Sequence, residues 1–163
     1  MSEPSRAATT AASRIDGGRF LIVEARFYES IGAKLHAGAT RALEAAGASH
    51  ETIQVPGALE IPVATAIALD AAAEAGRPYD GAVALGCVVR GETFHFEIVA
   101  GESARALMDL AVSRKLALGN GVLTTENADQ AEERADPARG DKGGDAARAA
   151  IALALLKRTR AAA

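Results

Sequence analysis

The stretch Gly81–Val89, GAVALGCVV, is apolar from end to end. A half-exposed strand alternates apolar and polar residues, whereas a strand covered on both faces reads as a continuous apolar run and belongs to a parallel sheet flanked by helices. Parallel neighbours cannot be joined by a tight hairpin, so the remaining chain must supply crossovers long enough to hold helices. In a chain of 163 residues this one segment points to an α/β architecture with a single core, because that length makes a second domain uncomfortable.

The flanking segments fit that demand. Arg19 to Ala25, RFLIVEA, has strand length, and Leu35, Ala39, Leu43 and Ala46 then recur at helical spacing, with Ser30 as a candidate cap and Gly47 as the stop. His50 to Val55 alternates like a strand and ends at Pro56-Gly57, after which Leu59 to Ala75 is alanine-rich and helical, with Pro62 placed in its first turn. A long helical stretch after the apolar strand ends near Leu116, and Gly121 to Thr125 reads as a fourth strand. Asn127, with Gln130 three residues on, forms a capping-box-like start for a helix through Arg134. Beyond a polar loop at 135–144, a final helix is predicted from about Asp145 to Lys157. The expected fold is a three-layer αβα sandwich on a four-stranded parallel sheet, occupying residues 19–160. Residues 1–18, rich in Ala, Ser, Thr and Arg and without apolar periodicity, read as a flexible N-terminal tail.

Charge and cysteine content remove whole classes of function. The net charge is −3 and the basic residues are scattered, so the electrostatic footprint of a nucleic-acid binder is missing. A single cysteine, Cys87, precludes an intramolecular disulfide, and no cysteine and histidine group has metal-ligand spacing, which makes a reducing cytoplasm the expected compartment. Apolar runs fall well short of the roughly 20 residues that span a bilayer. A soluble protein with no membrane partner is expected.

In parallel sheets ligands bind beyond the carboxyl ends of the strands, where connections diverge to opposite faces. The segments to search are therefore 26–30, 56–60, 87–95 and 124–127. The first holds Phe27 and Tyr28, and a ring at a strand end either stacks on a planar heterocycle or caps the core. In the second, Gly57 permits close backbone approach, Ala58 offers an N–H at a helix start, and Glu60 is either a ligand or an ordinary first-turn acid. The third is richest: Arg90, Glu92, Thr93 and His95 follow a buried strand within one short loop. An imidazole ordinarily changes charge near neutral pH, which makes His95 a candidate for proton transfer. Cys87 reads as an inert core thiol rather than a nucleophile, since no positioned base accompanies it. Neither a GxGxxG nor a GxxxxGK[ST] loop is present, which disfavours a nucleotide. Arg134 and Lys142 sit in a polar segment that reads as a solvated face unless the substrate is anionic.

Five fragments in order carry a resemblance: ARF at 25–27, VPGALEIP at 55–62, LGCVVRGETFHFE at 85–97, GVLTTENADQAEERA at 121–135 and GDKGGDAA at 140–147. Together they resemble the lumazine synthase family over nearly the whole chain. The resemblance implies a flavodoxin-like fold and condensation of 5-amino-6-(D-ribitylamino)uracil with 3,4-dihydroxy-2-butanone 4-phosphate to 6,7-dimethyl-8-ribityllumazine, the penultimate step of riboflavin biosynthesis. No metal or redox cofactor is implied. Carried over by position, Phe27 would stack on the pyrimidine, and Ala58, Leu59 and Glu60 would bind the ribityl chain. Cys87, Val88 and Val89 would line the pyrimidine pocket, and Asn120 would face it from a neighbouring subunit. Glu92, Thr93, Arg134 and Lys142 would meet the phosphate, and His95 would act as general acid and base. The implied partner is the chain itself, as a homopentamer or pentamer-based higher assembly with sites between subunits; riboflavin synthase is a further candidate. Two residues depart from the family pattern: Asn120, where many relatives carry an aromatic ring, and Asp141, where Asn is frequent and which would add negative charge near the anion site. A flavin-binding or shell-forming paralogue without catalysis is the alternative reading.

Overall fold

The computed structural model describes residues 13–163. Four strands, β1 (Arg19–Ala25), β2 (Ser49–Val55), β3 (Gly81–Val89) and β4 (Leu118–Thr125), form one all-parallel sheet in the order β2-β1-β3-β4. Helices α1 (Glu29–Ala45), α4 (Ala128–Ala135) and α5 (Lys142–Ala161) cover one face, while α2 (Ile61–Glu74) and α3 (His95–Arg114) cover the other. The expected three-layer sandwich is what forms.

Side-chain alternation along the strands divides the core in two. Phe20, Ile22, Val83, Leu85 and Leu123 point to α1, α4 and α5, whereas Leu21, Val23, Ala25, Ala82 and Ala84 point to α2 and α3. Both sets are buried, so β1 and β3, the two central strands, need apolar residues at successive positions. Strand β2 lies at an edge and keeps the half-exposed alternation of SHETIQV.

Four boundaries differ from the sequence reading, each for a tertiary reason. Ile15, placed by composition in the tail, is 1% exposed and packs in the core below α1. Its N–H donates to the Ala46 carbonyl at 2.8 Å, and the Ser49 N–H donates to the Gly18 carbonyl at 2.8 Å, so residues 13–18 are pinned to the domain. The part of the expected tail at 1–12 lies outside the described residues. Ser30 does not cap α1: Tyr28 holds the cap position without a side-chain bond, and the Ser30 hydroxyl donates to Glu132 of α4 at 3.2 Å. Strand β4 begins at Leu118, three residues before Gly121, because pairing with β3 extends through Gly119 and Asn120. There a Cβ on Gly119 would strike the Ala146 carbonyl, so only glycine lets α5 lie this close to the sheet. Helix α5 starts at Lys142, because Asp141 in the left-handed region (φ 48°) caps it by accepting from the Gly144 N–H at 3.3 Å.

Candidate active site

From β1 the chain crosses one face through α1 to β2, and from β3 it crosses the other face through α3 to β4, so the connections diverge between the carboxyl ends of β1 and β3. A cavity of about 480 Å³ opens at that point, a size typical of small-molecule sites. Phe27 and Tyr28 after β1, Pro56 to Glu60 after β2, and Cys87 to Val89 with Gly91, Thr93 and His95 after β3 line it. Phe96 and Val99 of α3 complete the wall.

Each loop delivers its groups for a local reason. The turn after β1 is short, so Phe27 projects outward and stays 76% exposed, its ring held only edge-on by Tyr28 at 5.0 Å between centroids. After β2, Pro56-Gly57 breaks the strand and a single 3₁₀ turn, Ala58–Glu60, precedes α2, with the Glu60 N–H donating to the Gly57 carbonyl at 3.2 Å. Ala58 is buried, so its side chain anchors the turn while Leu59 and Glu60 face outward. After β3, the loop at 90–94 enters α3 at His95, whose backbone N–H lies 3.4 Å from the Thr93 hydroxyl oxygen that accepts from it. Arg90 folds away from the cavity: its guanidinium sits 4.3 Å from the Phe96 ring centroid, pairs with Glu126 at 2.7 Å and also with Glu97.

Cys87 is half-buried beside the cavity, and desolvation pushes its thiol up to about 11, only partly offset by the Thr125 hydroxyl. At neutral pH it is therefore a protonated thiol, as its apolar surroundings in the sequence suggest. His95, in the first turn of α3, is exposed and places its imidazole on the wall of the same cavity.

Of the residues singled out from sequence, Phe27, Ala58, Leu59, Glu60, Cys87, Val88, Val89, Thr93 and His95 meet in this cavity. Glu92, Asn120, Arg134 and Lys142 do not line it. Asn120 is exposed on edge strand β4, where its side-chain oxygen accepts from the Val122 N–H at 2.9 Å. Arg134 donates to the Gln130 carbonyl of its own helix at 3.1 Å, and Lys142 lies 3.6 Å from Asp145 at the start of α5. The extra charge expected from Asp141 is absorbed locally, because its carboxylate pairs with Arg148 at 2.9 Å. Phe96 and Val99 received no site role from sequence, whereas Tyr28 reads there, beside Phe27, as a stacking or core-capping ring. Val99 lies one helical turn after His95, a spacing that marks a shared face only once the helix start is known.

A model of the 6,7-dimethyl-8-ribityllumazine synthase family matches residues 17–158. The chain belongs to the lumazine synthase family. Similar curated members include the 6,7-dimethyl-8-ribityllumazine synthase of Methylocella silvestris, 66% identical over 97% of this chain and 96% of that protein. The protein of the same name from Afipia carboxidovorans is 60% identical over 97% of both chains. The 6,7-dimethyl-8-ribityllumazine synthase 1 of Rhizobium meliloti is 61% identical over 89% of this chain and 95% of its own. These lumazine synthase relatives match the chain over nearly its whole length, so the cavity at the ends of β1, β2 and β3 lies inside the shared domain.

Proposed function

We propose that this cavity is where the chain condenses 5-amino-6-(D-ribitylamino)uracil with 3,4-dihydroxy-2-butanone 4-phosphate, releasing phosphate and water and forming 6,7-dimethyl-8-ribityllumazine. The enzyme is a transferase of riboflavin biosynthesis. The observation that carries the assignment of the site is the convergence of an exposed ring, a carboxylate and an imidazole, Phe27, Glu60 and His95, on one cavity in a chain of this family.

Each group suits a part of the substrates. Phe27, free on its outer face, stacks on the flat pyrimidine. The Ala58 backbone, Leu59 and the Glu60 carboxylate take the hydroxylated ribityl chain, and Cys87, Val88 and Val89 form the pyrimidine floor through backbone contacts. Thr93, which lines the cavity, and Glu92 beside it, which does not line it, lead into α3, whose first N–H groups favour the phosphate. The chemistry joins an amine to a ketone as an imine, eliminates phosphate and closes a ring with loss of water. Each stage moves a proton at nitrogen, carbon or oxygen, which is work for an imidazole that accepts and returns it. Holding both substrates in register supplies much of the acceleration, so loss of His95 costs less than loss of substrate alignment.

Asn120, Arg134 and Lys142 do not reach this cavity within their own chain. A second copy is the source that brings Asn120 to the pyrimidine and Arg134, with Lys142, to the phosphate, through a homopentamer or pentamer-based assembly. Apolar side chains exposed on α2 and α3, among them Val63, Ile67, Met108 and Val112, support such a contact. Phosphate release and lumazine absorbance on mixing both substrates test the activity, and mixing His95→Asn with Arg134→Ala subunits tests the sharing. Each variant alone is impaired. After subunit exchange about a quarter of randomly assembled sites draw both intact residues, so activity recovers. No recovery in demonstrably mixed oligomers would overturn the shared site, and no activity from the unaltered protein would overturn the catalytic reading.

A further inference from the structure

A buried carboxylate behind the cavity has no part in the chemistry above. Glu24, the penultimate residue of β1, is 1% exposed and, by alternation with Phe20 and Ile22, points into the face covered by α1 and α5. One of its oxygens accepts from the Arg26 Nε at 2.9 Å and from the Gln54 side-chain amide at 3.1 Å, while Oε2 has no hydrogen-bond partner among the described residues. A buried carboxylate is costly unless its pairing serves the structure or the function. Apolar residues fill the same face at Ile22 and Phe20, two and four positions earlier on the strand.

The pairing reaches directly to Phe27. The Arg26 guanidinium that holds Glu24 also donates to Glu29 of α1 at 2.8 Å, and its stem lies so close to α1 that a Cβ on Gly32 would sit 2.7 Å from the Arg26 Cγ. One arginine thus ties the end of β1, the adjoining strand β2 through Glu24 and Gln54, and the first turn of α1. Phe27 is the next residue along the chain, and Tyr28 touches its ring only at the edge. Nothing in the core fixes an aromatic ring that is 76% exposed. Its direction is set by the backbone on either side, and that backbone is clamped at Arg26.

We propose that Glu24 is a positioning residue that acts through Arg26 to hold the 26–28 turn, so that Phe27 is presented to the pyrimidine in the stacking geometry. The proposal rests on the reading of Phe27 as the pyrimidine-stacking ring. Removing the charge of Glu24 frees the turn to sample orientations in which the ring is not stacked. Apparent affinity then falls in proportion to the competent fraction, and if about a quarter of the turns remain competent, affinity drops about fourfold.

The experiment is steady-state kinetics on the full-length protein for Glu24→Gln, Arg26→Lys and Phe27→Ala, and for Glu24→Gln combined with Phe27→Ala, with KM measured separately for each substrate. Glu24→Gln is expected to raise KM for the ribitylaminopyrimidine about fourfold and to leave KM for the sugar phosphate unchanged. Arg26→Lys keeps the charge but cannot hold Glu24 and Glu29 at once, and it should act in the same direction even if Glu24→Gln proves too unstable to assay. In the Phe27→Ala background the Glu24→Gln effect on KM should vanish, because there is no ring left to position. Equal rises in both KM values, or an effect that persists without the ring, would show a general structural role and overturn the proposal. An unchanged KM for the pyrimidine in both single variants would overturn it as well. If Phe27→Ala itself leaves that KM unchanged, the stacking assignment fails first, and the proposal with it.

Discussion

Gly57→Ala separates the stability of the site from its recognition. Gly57 has φ −154° and ψ 175°, extended backbone that alanine adopts without strain. A methyl group there would lie 3.1 Å from the Glu60 Oε2 and within 4 Å of no other atom outside its immediate neighbours. The only group obliged to move is the end of an exposed side chain, by a few tenths of an ångström, so folding should not suffer. Replacing glycine at a compatible position stabilises by about 0.4–1 kcal/mol through the unfolded chain, which for this length raises the melting midpoint by about 1–4 °C. Recognition should respond in the opposite sense. A hydrogen bond to a charged group is worth about 1.5–3 kcal/mol. A partial displacement of the Glu60 carboxylate that forfeits about half of this raises KM for the ribitylaminopyrimidine about three- to tenfold, with the sugar phosphate unaffected. Differential scanning fluorimetry and two-substrate kinetics read both quantities on one sample. A lower melting midpoint would refute the packing argument, and a raised midpoint with unchanged pyrimidine KM would refute the role of Glu60.

Ile15→Ala, which empties a site 1% exposed, should destabilise the protein by about 2–5 kcal/mol in urea titration, whereas a cost below about 0.5 kcal/mol would place the residue outside the cooperative unit. Gly119→Ala drives a methyl into the Ala146 backbone and should lower soluble yield and melting midpoint sharply; native-like melting would show that α5 can shift at little cost. Cys87, with its thiol raised to about 11, should react with iodoacetamide slowly at neutral pH, the rate climbing up to that region, and an inflection near 8 would contradict the desolvated environment. The Glu132 carboxylate is held below its ordinary range chiefly by its hydrogen bond with Lys34. Such a group contributes stability that is present above the unfolded carboxylate value and is lost as pH falls through the folded one. Lys34→Ala should accordingly narrow the stability difference between neutral and acid pH in urea titrations, and an unchanged difference would show the pair to be inert.

Periodicity and strand-end logic made much of this molecule legible in its sequence. The buried run at 81–89 required a parallel sheet, the helical spacing of Leu35, Ala39, Leu43 and Ala46 placed α1, and Asn127 with Gln130 marked α4, where the Gln130 N–H donates to the Asn127 side-chain oxygen at 2.9 Å. Once the strands were placed, the rule that ligands sit at their carboxyl ends selected four segments, of which those at 26–30, 56–60 and 87–95 supply residues to the cavity and that at 124–127 does not. The chemical assignments within them came from the family resemblance, because a lone aromatic, acid or histidine reads equally well as structure.

What the sequence withheld depends on contacts between distant residues. Ile15 is one apolar side chain in a polar stretch, and only the space beneath α1 gives it a place in the core. Gly119 argues against a strand by local preference, yet β4 runs through it because α5 needs the room. Asp141 presents a plain extra charge in sequence and is neutralised by Arg148 only after α5 has formed. Glu24 looks like an interruption in an apolar strand until Arg26, itself held by Glu29, and Gln54 close around it. Local pattern determined which elements form and roughly where they lie, since hydrophobic spacing acts within a few residues. Which charges are satisfied, which glycines are indispensable and which side chains share a cavity was decided by packing, because each depends on a partner that the fold alone brings near.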